Sequence, residues 1–329
     1  MAINPNGQPY LNLSEWRSLM EGYRTLEIHL LCNNLKSQEL SGVIKSFIAN
    51  ADRTAELCNF PHRLHLKGRI EQLIDVSASM HAFGNPNMHQ SGFGGSKDFN
   101  DAKEGIMNGT IKPYLEVFLF YDSQVVMDTA DETTRKSISD LMMLQLVMAN
   151  TTFETLAGDL WESCLNARHK LGFAALGYDV TQEDETDDIE GKGTVRFSIP
   201  VRLLDKYKLN LHDSMGTLLR SKWNFTRRKI AHEAYKKVFG KDSFARLSSI
   251  FDAKDILWLV AVRNAVVHKA GLADDEFVRV VKRHPTLSKV AELSPIPVDG
   301  KLCSELVLAS FRGCVSLIQF VDEWLAVHT

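Results

Sequence analysis

The sequence predicts a mainly α protein, with an N-terminal helical region followed by a C-terminal helical bundle. Three observations carry this expectation. Apolar residues recur at helical spacing over most of the chain, strand-like pieces are few and short, and the intervening polar stretches have little to bury.

Taken in order, the helical patterns cover 13–32, 38–58, 63–82, 132–176, 211–239, 242–270 and 302–327. In the first, Leu13, Trp16, Leu19 and Tyr23 step by three or four residues, which places them along one face. In the second, Leu40, Ile44, Phe47 and Ala51 do the same. The strand-like pieces are YLEVFLFY at 114–121, TVRFSIP at 194–200 and KVAELSPI at 289–296. Two stretches read as loops. GNPNMHQSGFGGSKDFN (84–100) is rich in Gly, Asn and Ser, and DVTQEDETDDIEGKG (179–193) has seven acidic residues in its first twelve positions with no base among them. A division is expected near 135/136, giving an N-terminal helical region (1–135) of unassigned role and a C-terminal helical domain (136–329).

The whole chain sets wide bounds. Its 329 residues suffice for two domains or one large one, and a net charge of −3 means that any nucleic-acid binding must come from a local basic face. The opening residues lack the basic and apolar regions of a signal peptide, and no uninterrupted apolar run has membrane-spanning length. The five cysteines (32, 58, 164, 303 and 314) are scattered singly, without C-x-x-C spacing. That pattern fits buried thiols in a reducing compartment, so a cytoplasmic protein is expected, without a membrane, metal or cofactor.

The chemically informative stretch is DILWLVAVRNAVVHKAG (255–271), an apolar helix interrupted by Arg263, Asn264 and His268. Asn264 and His268 lie one turn apart on the same face, whereas Arg263 needs its full length to bring its guanidinium beside the imidazole. Ala270-Gly271 reads as the helix stop, leaving His268 in the last turn, where basic side chains are favoured. The spacing R-x4-H alone discriminates nothing, because Arg24/His29, Arg227/His232 and Arg279/His284 share it. Only Arg263/His268 combines an apolar helix, a polar residue directly after the arginine and a glycine stop. A structural reading stands beside the functional one: basic residues suit helix C-termini, and arginine can reach out of an apolar face.

RNAVVHKAGLADDEF, followed by PIPVDGKL (295–302) and a last amphipathic helix (303–325), resembles the C-terminal half of HEPN domains. These are all-α up-and-down helical bundles whose signature is an arginine, a polar residue, a few apolar residues and a histidine. The resemblance covers roughly 140–328. It implies metal-independent RNA cleavage at a homodimer cleft, with two such motifs facing each other. His268 would be the general acid or base, Arg263 would hold the phosphate and Asn264 would orient either group. It further implies a setting in stress or antiviral defence, with a regulatory protein partner or the N-terminal region as gate.

A second feature points to RNA. The stretch 218–246 holds nine Lys or Arg against two acids, with Trp223, Phe225 and Tyr235 interleaved. Arg220, Lys222, Arg227, Arg228, Lys229 and Lys236, together with Lys269 beside the motif, are the candidate phosphate contacts, and the rings are candidates for base stacking. The alternative is a solvated helix whose aromatics face the core. The acidic stretch 179–190 could screen the basic strip in the absence of RNA. SGFGGSK (91–97) lacks the spacing of a phosphate loop, and His62 and His65 lack partners for a zinc site. His81 and His89 read as surface residues flanking the glycine-rich loop. The competing function is a non-catalytic HEPN-like module that binds a protein partner or a nucleotide.

Overall fold

The computed structural model describes residues 11–60, 74–84, 95–112, 132–172 and 213–328. The described residues are almost entirely helical: α1 (Leu13–Arg24), α2 (Ile28–Asn34), α3 (Ser41–Glu56), α4 (74–83), α5 (Lys97–Met107), α6 (Glu132–Ala167), α7 (Met215–Arg220), α8 (Arg228–Phe239), α9 (Phe244–Phe251), α10 (Lys254–Lys269), α11 (Asp275–Val281) and α12 (Gly300–Val327). The mainly α expectation holds. Of the strand-like pieces, 114–121 and 194–200 lie outside the described residues. Segment 289–296 forms no strand but turns, with one isolated bridge between Leu272 and Pro295. The acidic stretch 179–193 and the histidine pair at 62 and 65 also lie outside the described residues.

Several helices are shorter than the periodicity suggests, each for a local reason. The 13–32 pattern breaks between α1 and α2, where Glu27 adopts a left-handed backbone with φ 50°. The 211–239 pattern breaks between α7 and α8, where the Asn224 carboxamide accepts bonds from the Thr226 N–H at 3.0 Å and hydroxyl at 2.6 Å, a local turn that competes with the helix. The 242–270 pattern breaks at Asp252–Ala253. Conversely, the expected loop at 84–100 ends early. Ser96 accepts from the Phe99 N–H at 3.3 Å and so starts α5 at Lys97.

The chain divides into two compact units. The smaller draws on Met1–Arg17, Glu56–Met142 and Asp299–Lys301; the larger draws on Ser18–Ala55, Met143–Val298 and Leu302–Thr329. The expected division at 135/136 therefore falls inside the continuous helix α6, and residues 18–55 belong with the larger unit.

In the smaller unit α4 and α5 bury Ala78, Phe99 and Ala102, with Phe83 and Ile106 against them. Lys103 pairs with Asp75 at 2.5 Å. Gly300 donates its N–H to the Leu11 carbonyl at 2.7 Å, and a β-carbon there would lie 2.1 Å from the Asn12 carbonyl oxygen, so only glycine fits.

The larger unit is organised by the 143–167 part of α6, whose Leu146, Leu156, Ala157, Leu160, Trp161 and Cys164 are all buried. Neighbouring helices attach through polar contacts as well as packing. The Gln145 amide donates to the Thr54 carbonyl of α3 at 2.7 Å, and the Ser310 hydroxyl of α12 donates to the Ala149 carbonyl at 2.9 Å. Trp161 donates its indole N–H to the Ala234 carbonyl of α8 at 3.1 Å, and the Tyr235 hydroxyl donates back to the Ala157 carbonyl at 2.7 Å. Asp322 of α12, buried, accepts the backbone N–H groups of Lys36 at 3.1 Å and Ser37 at 2.8 Å.

Helix α12 is long and apolar enough to cross a membrane by length and composition, although polar residues such as Ser304 and Ser310 interrupt its apolar run. Its most apolar 18-residue window is 67% buried inside the protein, as in the core helix of a folded domain.

Helix α7 meets α6 almost backbone to backbone. A β-carbon on Gly216 would sit 2.0 Å from the Glu162 carbonyl oxygen, and Asn166 accepts the Gly216 N–H at 2.7 Å. Gly216→Ala is therefore expected to push α7 off α6 and to destabilise the protein by on the order of 1–3 kcal/mol, read as a lower midpoint in urea unfolding.

Candidate functional site

Helix α10 buries Ile256, Leu259, Ala261, Val262 and Ala265, which fixes its rotation and turns Asn264 and His268 outward. The helix stops where the sequence suggests, but with two left-handed residues in succession: Ala270 at φ 52° and Gly271 at φ 79°. The Gly271 N–H reaches back to the Ala265 carbonyl at 3.0 Å, satisfying a carbonyl of the last turn. This stop holds the final turn, with His268 and Lys269, exposed.

Arginine's length does what its Cα direction alone would not. The Arg263 Nη1 donates to the Asn264 Oδ1 at 3.1 Å and lies 3.5 Å from the His268 Nε2. Arginine only donates, so Nε2 is the acceptor in that contact. The Arg263 Nε, by contrast, is buried and has no hydrogen-bond partner.

These residues open into a groove of about 850 Å³. One wall is the start of α8 with Arg227, Arg228 and Lys229; the floor is Leu257, Val260 and Ala261; the other wall is α11 with Asp274, Glu276, Phe277 and Arg279. Six arginines and lysines (Arg227, Arg228, Lys229, Arg263, Lys269 and Arg279) face two carboxylates there. Both carboxylates are engaged: Asp274 caps α11 by accepting the Phe277 N–H at 2.8 Å, and Glu276 pairs with Arg279 at 3.5 Å. The groove therefore favours an anion.

Of the seven lysines and arginines proposed from sequence to contact phosphates, Arg227, Arg228, Lys229 and Lys269 line this groove and the other three do not. Arg228 is partly committed, since it pairs with Asp252 and donates to the Phe251 carbonyl at 3.0 Å. Arg220 lies against Gly158, bonds Asp159 at 3.2 Å and covers the Phe225 ring at 4.5 Å. Lys236 pairs with Glu233 at 3.3 Å and sits over Phe244, and Lys222 is exposed away from the groove. The interleaved rings face the core: Tyr235 is fully buried, Phe225 packs on Trp161 at 5.5 Å, and Trp223 meets Trp161 edge-on at 6.3 Å. The stacking role assigned to Phe225 and Tyr235 is thereby replaced by a packing role.

One residue of the groove escaped the sequence reading. Arg279 is legible in hindsight, because Phe277 and Val281 of α11 turn inward and leave it outward. Glu154 of α6 does not line the groove and accepts the Asn150 side-chain N–H at 2.7 Å. Burial pushes its carboxyl above the ordinary range, against the opposing pull of the Asn150 bond and of the nearby Arg263 charge.

The other R-x4-H pairs are built differently. His232 is buried against Phe251, within 3.3 Å of Asp252 and 3.4 Å of the Ser248 hydroxyl. His284 is buried beside Trp258, and its Nδ1 accepts the N–H groups of Thr286 and Leu287, each at 3.1 Å. His29 is exposed and shares Asp52 with Tyr23. Only Arg263 and His268 meet in an open groove among the described residues.

No family model matches the chain, and no curated protein or solved structure matches it either. The chemistry is therefore argued from this site alone.

Burial holds the imidazoles of His232 and His284 below their ordinary range. The unfolded chain then binds more protons than the folded one as pH falls below about 6.5, the ordinary histidine value. Stability is complete above that pH and drains away as pH falls through the folded values. For His284, protonating Nδ1 also removes the acceptor of two backbone N–H groups. Thermal unfolding of wild type between pH 7.5 and 5 should show this loss, and His284→Asn, which keeps an acceptor that does not titrate, should lessen it while leaving the share of His232.

Proposed function

We propose that the protein is a metal-independent endoribonuclease of HEPN type, acting as a homodimer. The observation that carries this reading is the meeting of Arg263, Asn264 and His268 with Arg227, Arg228, Lys229 and Lys269 in one open, positively charged groove.

In this reading the cationic wall holds the RNA backbone, and Arg263 holds the scissile phosphate. A base takes the proton of the ribose 2′-OH, the 2′-oxygen bonds to phosphorus, and the bond to the 5′-oxygen breaks as an acid protonates it. The products are a 2′,3′-cyclic phosphate and a 5′-OH end. Each chain supplies one imidazole in the groove, so base and acid are His268 and its copy in a second protomer, a role typically worth ~10²–10⁴-fold in rate. The Arg263 guanidinium would stabilise the charge developing on the phosphorane oxygens, where a preorganised donor contributes about 3–4 kcal/mol. A setting in stress or antiviral defence rests on the family resemblance alone.

The second reading is the non-catalytic module. In that reading the groove binds an anionic partner or nucleotide without cleaving it.

Cleavage of single-stranded RNA in EDTA distinguishes the two. Wild type should leave 2′,3′-cyclic phosphate ends and His268→Ala should be at least a hundredfold slower, while still binding RNA. Binding without cleavage by either protein supports the module. Charge reversal at Arg227 and Lys229 should weaken RNA binding uniformly across sequences and flatten its salt dependence by about one to two units of slope. Charge reversal at Lys236, outside the groove, should do neither.

A further inference from the structure

We propose that a recess lined by α9, α12 and the start of α10 binds a free, polar, uncharged-side-chain α-amino acid, with the Arg312 guanidinium taking its carboxylate and the Asp255 carboxylate taking its ammonium. The recess lies within the larger unit and shares no residue with the cationic groove, so the inference does not rest on the ribonuclease reading.

The recess holds about 310 Å³, at the small end of ligand pockets. Helix α12 lines it with the small residues Ala309, Gly313 and Ser316. A β-carbon on Gly313 would come within 3.2 Å of Phe153 and 3.3 Å of Ile256, so glycine lets α12 lie close against the core at that point. What marks the gap as a site is the polar chemistry that converges on it without partners. Arg312, Ser316 and Gln319 follow one row of α12 at i, i+4 and i+7, and none of these side chains makes a hydrogen bond or ion pair among the described residues. Asp255, in the first turn of α10, is equally uncommitted; its charge is felt by His284, but no ion pair joins them. The third charge of the lining, Arg246, is already engaged, pairing with Glu323 at 2.6 Å and covering the Phe320 ring at 5.3 Å. Ser249 donates its hydroxyl to the Arg246 carbonyl at 2.7 Å, which leaves its oxygen as an acceptor.

One uncommitted cation and one uncommitted anion that do not reach each other select a ligand carrying both charges. A simple anion on Arg312 would be opposed by Asp255, and a simple cation on Asp255 by Arg312. A zwitterion satisfies both. The planar fork of Arg312 matches a carboxylate, while the Asp255 carboxylate and the Ser249 oxygen accept from an ammonium. Ser316 and Gln319, each able to donate and accept, suit a polar, uncharged side chain.

The test is calorimetric titration of the full chain with glycine, L-serine and L-glutamine at low salt. At least one should bind saturably below about 10 mM. Blocking either charge of that ligand, by N-acetylation or by converting its carboxylate to an amide, should weaken it about tenfold. Arg312→Gln should remove the penalty of amidation and keep that of acetylation, and Asp255→Asn should do the converse. Both residues are exposed, so neither substitution disturbs the core. No binding of the three amino acids by wild type, or binding that both substitutions leave unchanged, would overturn the proposal. Inorganic phosphate binding in place of the amino acids would reveal a plain anion site and overturn it equally.

Discussion

Burial of α6 on several sides at once is the constraint on which the larger unit depends. From residue 143 onward this helix is buried over most of its circumference, leaving only the Leu144, Thr151 and Thr155 stripe exposed, so whatever packs on it must match its shape and also satisfy its polar groups. The reciprocal bonds of Trp161 and Tyr235 with carbonyls of each other's helices meet that demand and lock α8 in register on α6. Gly216 and Asn166 do the same for α7 at closer range. Helix α8 then has no freedom in where it begins, and its beginning is the run Arg227-Arg228-Lys229 that forms one wall of the groove.

The groove thus concentrates positive charge by a rule of packing. Helix α8 spends its aromatic residues on the core and is left with its basic residues outside. Helix α10 does likewise, burying a broad apolar face and ending in a stop that leaves His268 and Lys269 in solvent. Arg263 is the exception, with one edge in each environment.

The helical class and the special character of 263–268 were legible in the sequence, because both depend on local spacing. The apolar run of α10 fixes which residues point outward, and the glycine stop fixes where the run ends. The aromatics of 218–246 were harder, since a ring beside lysines in sequence serves stacking or packing equally well until the partner helix is known; Trp161, some sixty residues upstream, decided for packing. Helix α5 was missed because its few apolar residues, Phe99, Ala102 and Ile106, are outnumbered by charged ones and because Ser96 resembled loop as much as cap. The unit division was missed for a topological reason. Nothing local in 18–55 announces that it pairs with residues nearly three hundred positions away.

That pairing has a consequence for how the molecule comes into being. Asp322 receives the backbone of Lys36 and Ser37 across 286 and 285 positions of chain. At a translation rate of 5–20 residues per second, these partners emerge roughly 15–60 s apart. During that interval the backbone N–H groups of Lys36 and Ser37 lack the carboxylate that accepts them.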